Sequence, residues 1–315
     1  MTDSQKNGVV AVKFVEIDGE RAGQRIDNFL LAQLKGVPKS MIYRILRKGE
    51  VRVNKGRIKA QYRLQKGDVV RIPPMRLAPR DEKPLPGKNV LQQIEHNIIH
   101  EDERLIVLNK PSGIAVHGGS GISYGVIEAM RVLRPEMRDL ELVHRLDRET
   151  SGCLLISKKR SALRELHELL RSGKIGKHYL ALCKGKWRGS AREIDAPLRK
   201  NVVSSGERIV RVSPDGKEAL SRFIPKQRYK QATLMEVELM TGRTHQIRVH
   251  AQHAGHPLAG DGKYGDKEFN QEMKVIGLKR LFLHAFKLRF PWRGGVLEIQ
   301  APLDEVLEQA LRKLR

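Results

Sequence analysis

Five prolines crowd one short stretch, Pro73, Pro74, Pro79, Pro84 and Pro86, and they constrain this chain more than any other feature. Each removes a backbone N–H and fixes φ, so neither a helix interior nor a central strand runs through them. From Pro73 to His96 charges of both signs alternate without clear periodicity, the character of a linker. The chain of 315 residues is long enough for one small and one large domain. The division reads as a tail over residues 1–20, a small domain over 21–84, a linker over 85–97 and a large domain over 98–315.

The small domain is strongly basic. Residues 21–83 hold 17 Lys and Arg against 5 Asp and Glu, a surplus of 12 that is half of the whole chain's +24. Ile26, Phe29, Leu30 and Leu34 recur at helical spacing until Pro38 stops them. Ser40 is placed to cap a second helix bearing Ile42, Ile45 and Leu46, which Gly49 ends. Strand-like runs follow at Val51–Val53 and Val69–Ile72, with turns at Asn54–Gly56 and Lys66–Asp68. Lys39, Tyr43, Arg44, Arg47 and Lys48 decorate the second helix; Arg52, Lys55, Arg57 and Lys59 follow it. Like charges at helical spacing repel, so the face is either a solvated surface or one that a polyanion compensates. Nucleic-acid contact is the reading favoured by the clustering.

Whole-chain charge points the same way. A pI near 10.2 argues for a polyanionic partner, because each phosphate contact releases condensed counterions. Cys153 and Cys183 are too few for a disulfide framework or a Cys-rich zinc site. The segment Met1 to Phe14 has no apolar signal core, and no run approaches the length of a membrane span. These observations point to a cytoplasmic protein without a membrane segment. No long heptad seam is visible, which favours a monomer.

The large domain carries apolar strand-like runs at Leu105–Leu108, Leu154–Ile156, Tyr179–Leu182, Thr233–Leu239, Leu281–Leu283 and Val296–Ile299. Amphipathic helices lie at about Ser161 to Ser172 and from about Leu303 to the end. Strands with dispersed helices and no regular β-α-β alternation predict an α+β fold with a mostly antiparallel or mixed sheet.

Three polar clusters stand beside these strands. The first is Asn109-Lys110-Pro111-Ser112-Gly113, leading to His117-Gly118-Gly119-Ser120-Gly121. The glycines could present N–H groups to a phosphate or form a plain turn; the Lys-Ser/Thr ending of a nucleotide loop is missing. No dinucleotide fingerprint appears either, so no cofactor is expected. The second cluster runs from His144 to Gly152 and places Asp147 between Arg145 and Arg148. A cation near a carboxylate favours its ionised form, which suits a nucleophile or general base; an ordinary loop ion pair uses the same residues. The third runs from Gly242 to His250. Read as a strand, it sends His245, Ile247 and Val249 one way and Gln246, Arg248 and His250 the other. His245, His250, His253 and His256 with Asp261 suggest zinc, but the metalloprotease spacing is absent and the expectation is no metal. A metal-dependent nuclease and a non-catalytic RNA-binding protein are the rival classes; the first lacks an evident ligand set.

Taken together the three clusters, in this order, resemble the motifs of the pseudouridine synthases that modify large-subunit ribosomal RNA. His144-Arg145-Leu146-Asp147 with Thr150-Ser151-Gly152 looks like the catalytic motif, and the likeness spans about Asp102 to Pro302. The basic segment resembles the RNA-binding fold named after small-subunit ribosomal protein four. The resemblance implies isomerisation of specific uridines to pseudouridine after base flipping, without cofactor. It implies that Asp147 is the catalytic aspartate and that Arg248 pairs with it and keeps it charged. Tyr179 would stack on the base and could serve in proton transfer, Arg145 would enter the vacated RNA stack, and Leu283 would wall the base. His144 and Lys110 would complete the substrate site.

Overall fold

The computed structural model describes residues 9–34, 36–76, 84–119, 121–202 and 208–315. The chain forms two compact units, Met1–Pro84 and Leu85–Arg315. Residues 1–8 of the expected tail, 77–83 of the proline-rich stretch and Ser120 of the glycine run lie outside the described residues.

In the first unit the strands are β1 (Val9–Val10), β2 (Lys13–Glu16), β3 (Arg52–Val53), β4 (Gly56–Arg57), β5 (Val69–Ile72) and β6 (Met75–Arg76). Helices α1 (Ile26–Gln33) and α2 (Lys39–Arg47) precede β3. Strands β2, β5, β3 and β4 form an antiparallel sheet in that order, and β1 pairs with β6. Ile26, Phe29 and Leu30 of α1 and Ile42, Ile45 and Leu46 of α2 bury against Val53, Val70 and Ile72 of the sheet. The β3–β4 turn puts Asn54 and Lys55 at φ 50° and 67°. Asn54 steadies it by donating to buried Asp68 and accepting from Val69 N–H. Two expectations need correction. Residues 13–17, assigned to a tail, supply strand β2 and fully buried Ile17. Ser40 lies inside α2 and makes no cap; the helix starts two residues earlier than a Ser40 cap would set, at Lys39, with Pro38 and its fixed φ at the cap position.

The second unit opens with α3 (Lys88–His96), β7 (Ile98–Glu101), β8 (Leu105–Lys110) and α4 (Val126–Leu133). Next come β9 (Glu141–Leu142), β10 (Ser151–Ser157), α5 (Arg160–Arg171), β11 (Gly176–Lys184) and β12 (Arg192–Asp195). The hairpin β13 (Leu198–Val202) and β14 (Arg208–Val212) leads to β15 (Leu220–Arg228) and β16 (Ala232–Leu239). Helices α6 (Gln246–His253) and α7 (Lys267–Val275), strands β17 (Leu283–Trp292) and β18 (Gly295–Gln300), and α8 (Glu305–Lys313) complete it.

One large sheet organises this unit, in the order β12-β15-β16-β11-β17-β10-β8-β7, with β18 on β17 and β9 on β10. All pairs are antiparallel except β10 with β17, so the mostly antiparallel α+β expectation holds. Both faces are covered. In β8 and β10, Ile106, Leu108, Leu154 and Ile156 enter one core, while Leu105, Val107, Cys153 and Leu155 enter another. The period of two decides this division. Tyr179 of β11 and Leu283 of β17 belong to the first core.

Gly152 lets the parallel pair close. Its φ is 108°, and a Cβ there would overlap the Ala285 carbonyl oxygen of β17.

The expected linker 85–97 is not all linker: residues 88–96 are helix α3, with Ile94 fully buried in the first core. The prolines upstream masked the start of an amphipathic helix. The third polar cluster is likewise a helix, not a strand. Gln246 and His250, one turn apart, both hydrogen-bond Ser221 Oγ, at 2.8 and 3.0 Å, which a strand's rise would forbid.

Candidate active site

A cleft of about 350 Å³ opens on the first core's side of the sheet, within the usual range of small-molecule sites. The loop from His144 to Thr150 forms one wall, the segment from Gly242 to Arg248 the other, and Leu170, Lys177, Tyr179, Leu239 and Leu283 complete the lining. Of the residues expected in the site, Asp147, Arg248, Tyr179, Arg145, Leu283 and His144 all line this cleft.

The loop that carries Asp147 joins β9 to β10, and its backbone is fastened to the first polar cluster. Gly113 N–H donates to Arg148 O, Arg148 Nε donates back to Gly113 O, and Ser112 Oγ donates to Glu149 O, all within 2.8–2.9 Å. Lys110 does not line the cleft. Its side chain is fully buried, and Nζ donates to Pro111 O, Ile114 O and Arg148 O at 2.8, 2.8 and 3.1 Å. Burial, with Arg280 nearby, pushes its pKa down to about 7. Its role is therefore to hold the aspartate loop from beneath, because its ammonium has no face left for substrate.

His144 also serves the framework, although it borders the cleft. Leu155 N–H donates to its Nε2 at 3.1 Å, and burial with the charge of Lys177 lowers its pKa to about 4. It is a neutral acceptor that fixes the start of the loop.

The cations that face Asp147 are not its sequence neighbours. Its Oδ2 lies 3.9 Å from Arg248 Nη1 and 3.8 Å from His245 Nε2, both contributed by the start of α6. Arg148 points to Gly113 and Glu149, and Arg145 is exposed at the rim. Arg248 is in turn held by Asp261: Nε to Oδ2 and Nη2 to Oδ1, each 2.7 Å. Asp261 Oδ1 also accepts from the N–H groups of Lys263 and Tyr264. Burial opposes both charges, yet their mutual hydrogen bonds prevail, holding Arg248 above and Asp261 below the ordinary values. The Tyr264 ring lies 5.0 Å beneath the Arg248 guanidinium.

His245 closes the network. Its φ of 55° places it in the left-handed region at the head of α6. Val210 N–H donates to the Tyr264 hydroxyl, which also shares a hydrogen bond of 2.7 Å with His245 Nδ1. Burial lowers the His245 pKa; Asp147 opposes that, and Arg248 and Lys263 add to it. A neutral His245 accepting at Nδ1 carries its proton on Nε2, facing Asp147. Gln246 anchors the same corner: Oε1 accepts from Thr241 Oγ1 and Arg243 N–H, and Nε2 donates to Leu220 O.

Tyr179 is 8 % exposed, and burial with the nearby Asp147 charge raises its pKa, so the hydroxyl stays protonated.

Sequence reasoning missed Asp261 and Tyr264 as site residues. Asp261 entered only as a zinc ligand; a signal was available in its flanking Gly260 and Gly262, which mark a tight turn. The histidine group does not converge: His250 bonds Ser221 and Ala196 O, and His256 bonds Lys184 O. Among the described residues one group has metal-ligand proximity, His178 with Glu236 and Glu238. Lys226 and Arg222 already pair with its two carboxylates, at 3.2 and 3.5 Å.

Comparison with known proteins shows the family of the chain. The RNA pseudouridylate synthase family matches residues 104–253, and the S4 domain matches residues 24–70. Ribosomal large subunit pseudouridine synthase C of Pasteurella multocida is 61% identical over 97% of this chain and 94% of its own length. The chain belongs to the pseudouridine synthases. The synthase C of Escherichia coli K12 is 58% identical over 98% of this chain and 99% of its own length. Among solved structures, human RNA pseudouridylate synthase domain containing 4 is 26% identical, with a TM-score of 0.61, over 72% of this chain and 96% of that one. As a member, the chain is an isomerase, with an S4 domain ahead of its synthase domain. No helix among the described residues is long and apolar enough to cross a membrane.

Proposed function

We propose that this synthase converts specific uridines of large-subunit ribosomal RNA to pseudouridine, with Asp147 as the catalytic carboxylate. The observation that carries the reading is the Asp147 carboxylate in a cleft, facing an arginine that a buried aspartate holds rigid. The reaction conserves atoms and electrons: the glycosidic carbon–nitrogen bond breaks, the uracil turns, and a bond forms from the ribose to carbon 5, whose proton leaves as the freed ring nitrogen takes one up. Asp147 attacks the ribose, attacks the base, or assists removal of a sugar proton; all three uses need an ionised carboxylate beside the anchored base.

The uridine reaches the cleft by leaving its stack, at a cost of a few kcal/mol. Exposed Arg145 at the rim suits the vacated place, since a guanidinium plane stacks on bases. Tyr179 offers a stacking face of about 1–3 kcal/mol, and Leu283 an apolar wall. With its hydroxyl kept protonated, Tyr179 acts as a proton donor rather than a base.

The small unit supplies RNA affinity. Lys39, Arg44, Arg47, Lys48, Arg52, Lys55 and Arg57 are all exposed. Tyr43 contributes its ring edge, because its hydroxyl is bonded to buried Asp27 at 3.0 Å.

The test is pseudouridine formation in protein-free large-subunit ribosomal RNA, with excess chelator, by the wild type and Asp147→Asn. The expected result is product from the wild type alone with RNA affinity kept by both. Turnover by Asp147→Asn above a hundredth of the wild-type rate would remove Asp147 from its role.

A further inference from the structure

Strand register in the S4 unit aligns four side chains across its sheet. Phe14 of β2 pairs with Arg71 of β5, Arg71 with Arg52 of β3, and Arg52 with Arg57 of β4. Directly paired residues project to the same face, so these four form one row. At about 4.8 Å per strand the row runs about 14 Å. The neighbouring row, Val15, Val70 and Val53, packs into the core on the opposite face.

The three arginines share an anchorage. Arg57 Nη2 reaches Lys48 O at 3.5 Å, Arg52 Nε reaches Gly49 O at 3.4 Å, and Arg71 Nη1 reaches Glu50 O at 2.8 Å. These are successive carbonyls just past the C-terminal end of α2, where the helix dipole is negative. Gly49 leaves the room this needs, since a Cβ there would press on the Arg57 side chain. Carbonyls orient a guanidinium without neutralising it. Among the described residues none of the three forms an ion pair with a carboxylate, and Lys48, Lys55 and Glu50 border a groove with Phe14, Arg52 and Arg71. Each guanidinium keeps donors to spare, because it has five and uses one or two here.

Helix capping accounts for the arginines. It does not account for Phe14, which is 65% exposed at the end of the row, beside Val69 at 40%. A lone exposed phenylalanine needs no explanation. One that continues a row of uncompensated arginines has the composition of a single-strand site, where cations track the backbone and an aromatic ring takes a base.

We infer that this sheet face binds an unpaired stretch of RNA, with one base stacked on Phe14 and the adjoining phosphates on Arg71, Arg52 and Arg57. The inference rests on the reading of the small unit as an RNA-binding unit and specifies what it holds: single strand rather than duplex, since a paired base has no free face to offer. Base type is not selected, as every base has a π face.

The test uses the full-length protein with two probes, a short oligouridylate and a mixed-sequence RNA duplex. Phe14→Ala should weaken oligouridylate binding by about 5- to 150-fold, the equivalent of one stacked base, with the salt dependence and duplex affinity unchanged. Phe14→Trp should restore affinity, and its emission should be quenched on binding; the native Trp187 and Trp292 are buried. Arg52→Gln with Arg57→Gln keeps donors for the carbonyls and should lower the single-strand salt slope by about 0.7 per charge removed. Wild-type oligouridylate affinity in Phe14→Ala, or unquenched Phe14→Trp emission at saturation, overturns the stacking site. If the glutamine pair also leaves both affinities and the salt slope unchanged, the assignment of RNA binding to this unit falls with it.

Discussion

Arg248 and Asp261 meet through two parallel hydrogen bonds of 2.7 Å, and this leaves one guanidinium nitrogen, Nη1, directed at Asp147. Both side chains are nearly excluded from solvent. The fork geometry of arginine uses one edge for its anchor and the other for the Asp147 carboxylate, which a lysine cannot do. Asp261 thereby acts on Asp147 without touching it.

Asp261→Asn replaces one carboxylate oxygen with an amide donor that opposes the guanidinium. Unbalancing this buried pair should cost about 3 kcal/mol or more of stability. Arg248 would lose its fixed direction, and kcat should fall about 100-fold, the scale of a lost preorganised donor, with RNA affinity kept. Arg248→Lys keeps the charge but loses the fork and should show the same kcat fall. Denaturant titration and single-turnover kinetics measure the two effects; a stability loss with wild-type kcat would make Asp261 a structural residue only.

Gly152 is the close contact of the parallel strand pair. Gly152→Ala places a methyl against the Ala285 carbonyl and requires a left-handed φ. The variant should lose about 3 kcal/mol or more, from strain of about 1–3 kcal/mol together with displacement of β17. Because Leu283 leads β17 and Ser151 leads β10, cleft activity should fall in parallel. Thermal unfolding of Gly152→Ala checks this, and a Tm within a few degrees of the wild type would show that the strands separate freely.

His284 makes stability depend on pH. Its Nε2 donates to Ala301 O at 3.0 Å, and its Nδ1 accepts from Ser151 Oγ at 2.9 Å, which in turn accepts from Arg280. The bond at Nδ1 requires the neutral ring, and burial lowers the pKa to about 4 although the Ala301 carbonyl opposes this. The unfolded chain binds this proton at about pH 6.5, so between about pH 6.5 and 4 it holds more protons than the fold. Stability is therefore full above about pH 6.5 and falls on acidification by about 1.4 kcal/mol per pH unit from this residue. His144, also lowered to about 4, adds in the same direction. Chemical denaturation from pH 7 to 4.5 should show the slope, and His284→Gln, which keeps a donor for Ala301, should flatten it.

Much of the architecture was legible in the residues. The runs at Leu105–Leu108 and Leu154–Ile156 are strands, and the stripe from Leu163 to Leu170 lies on helix α5. Their periods of 2 and 3.6 are dictated by the backbone alone. Helix α6 was not legible, since His245 to His250 satisfies an alternating pattern as well as a helical one. What decided it was Ser221, a residue of β15 that Gln246 and His250 can reach together only from adjacent turns. Lys110 misled in another way. Its residue type suggests substrate contact, but β8 carries it into the interior, where three carbonyls take its protons.

By itself the sequence determined the two-part division, the basic surplus of the first unit and the local periodicities, because these depend on residues near one another in the chain. It also marked Asp147 and Arg248 by motif. Only the tertiary structure decided which cation faces Asp147, because nearby Arg148 bonds Gly113 and Glu149 and Arg145 is exposed at the rim, whereas Arg248 and His245 are about a hundred residues away. Their approach is set by β-sheet order and by the buried Asp261 anchor, and a carboxylate responds to charge by distance in space, not along the chain.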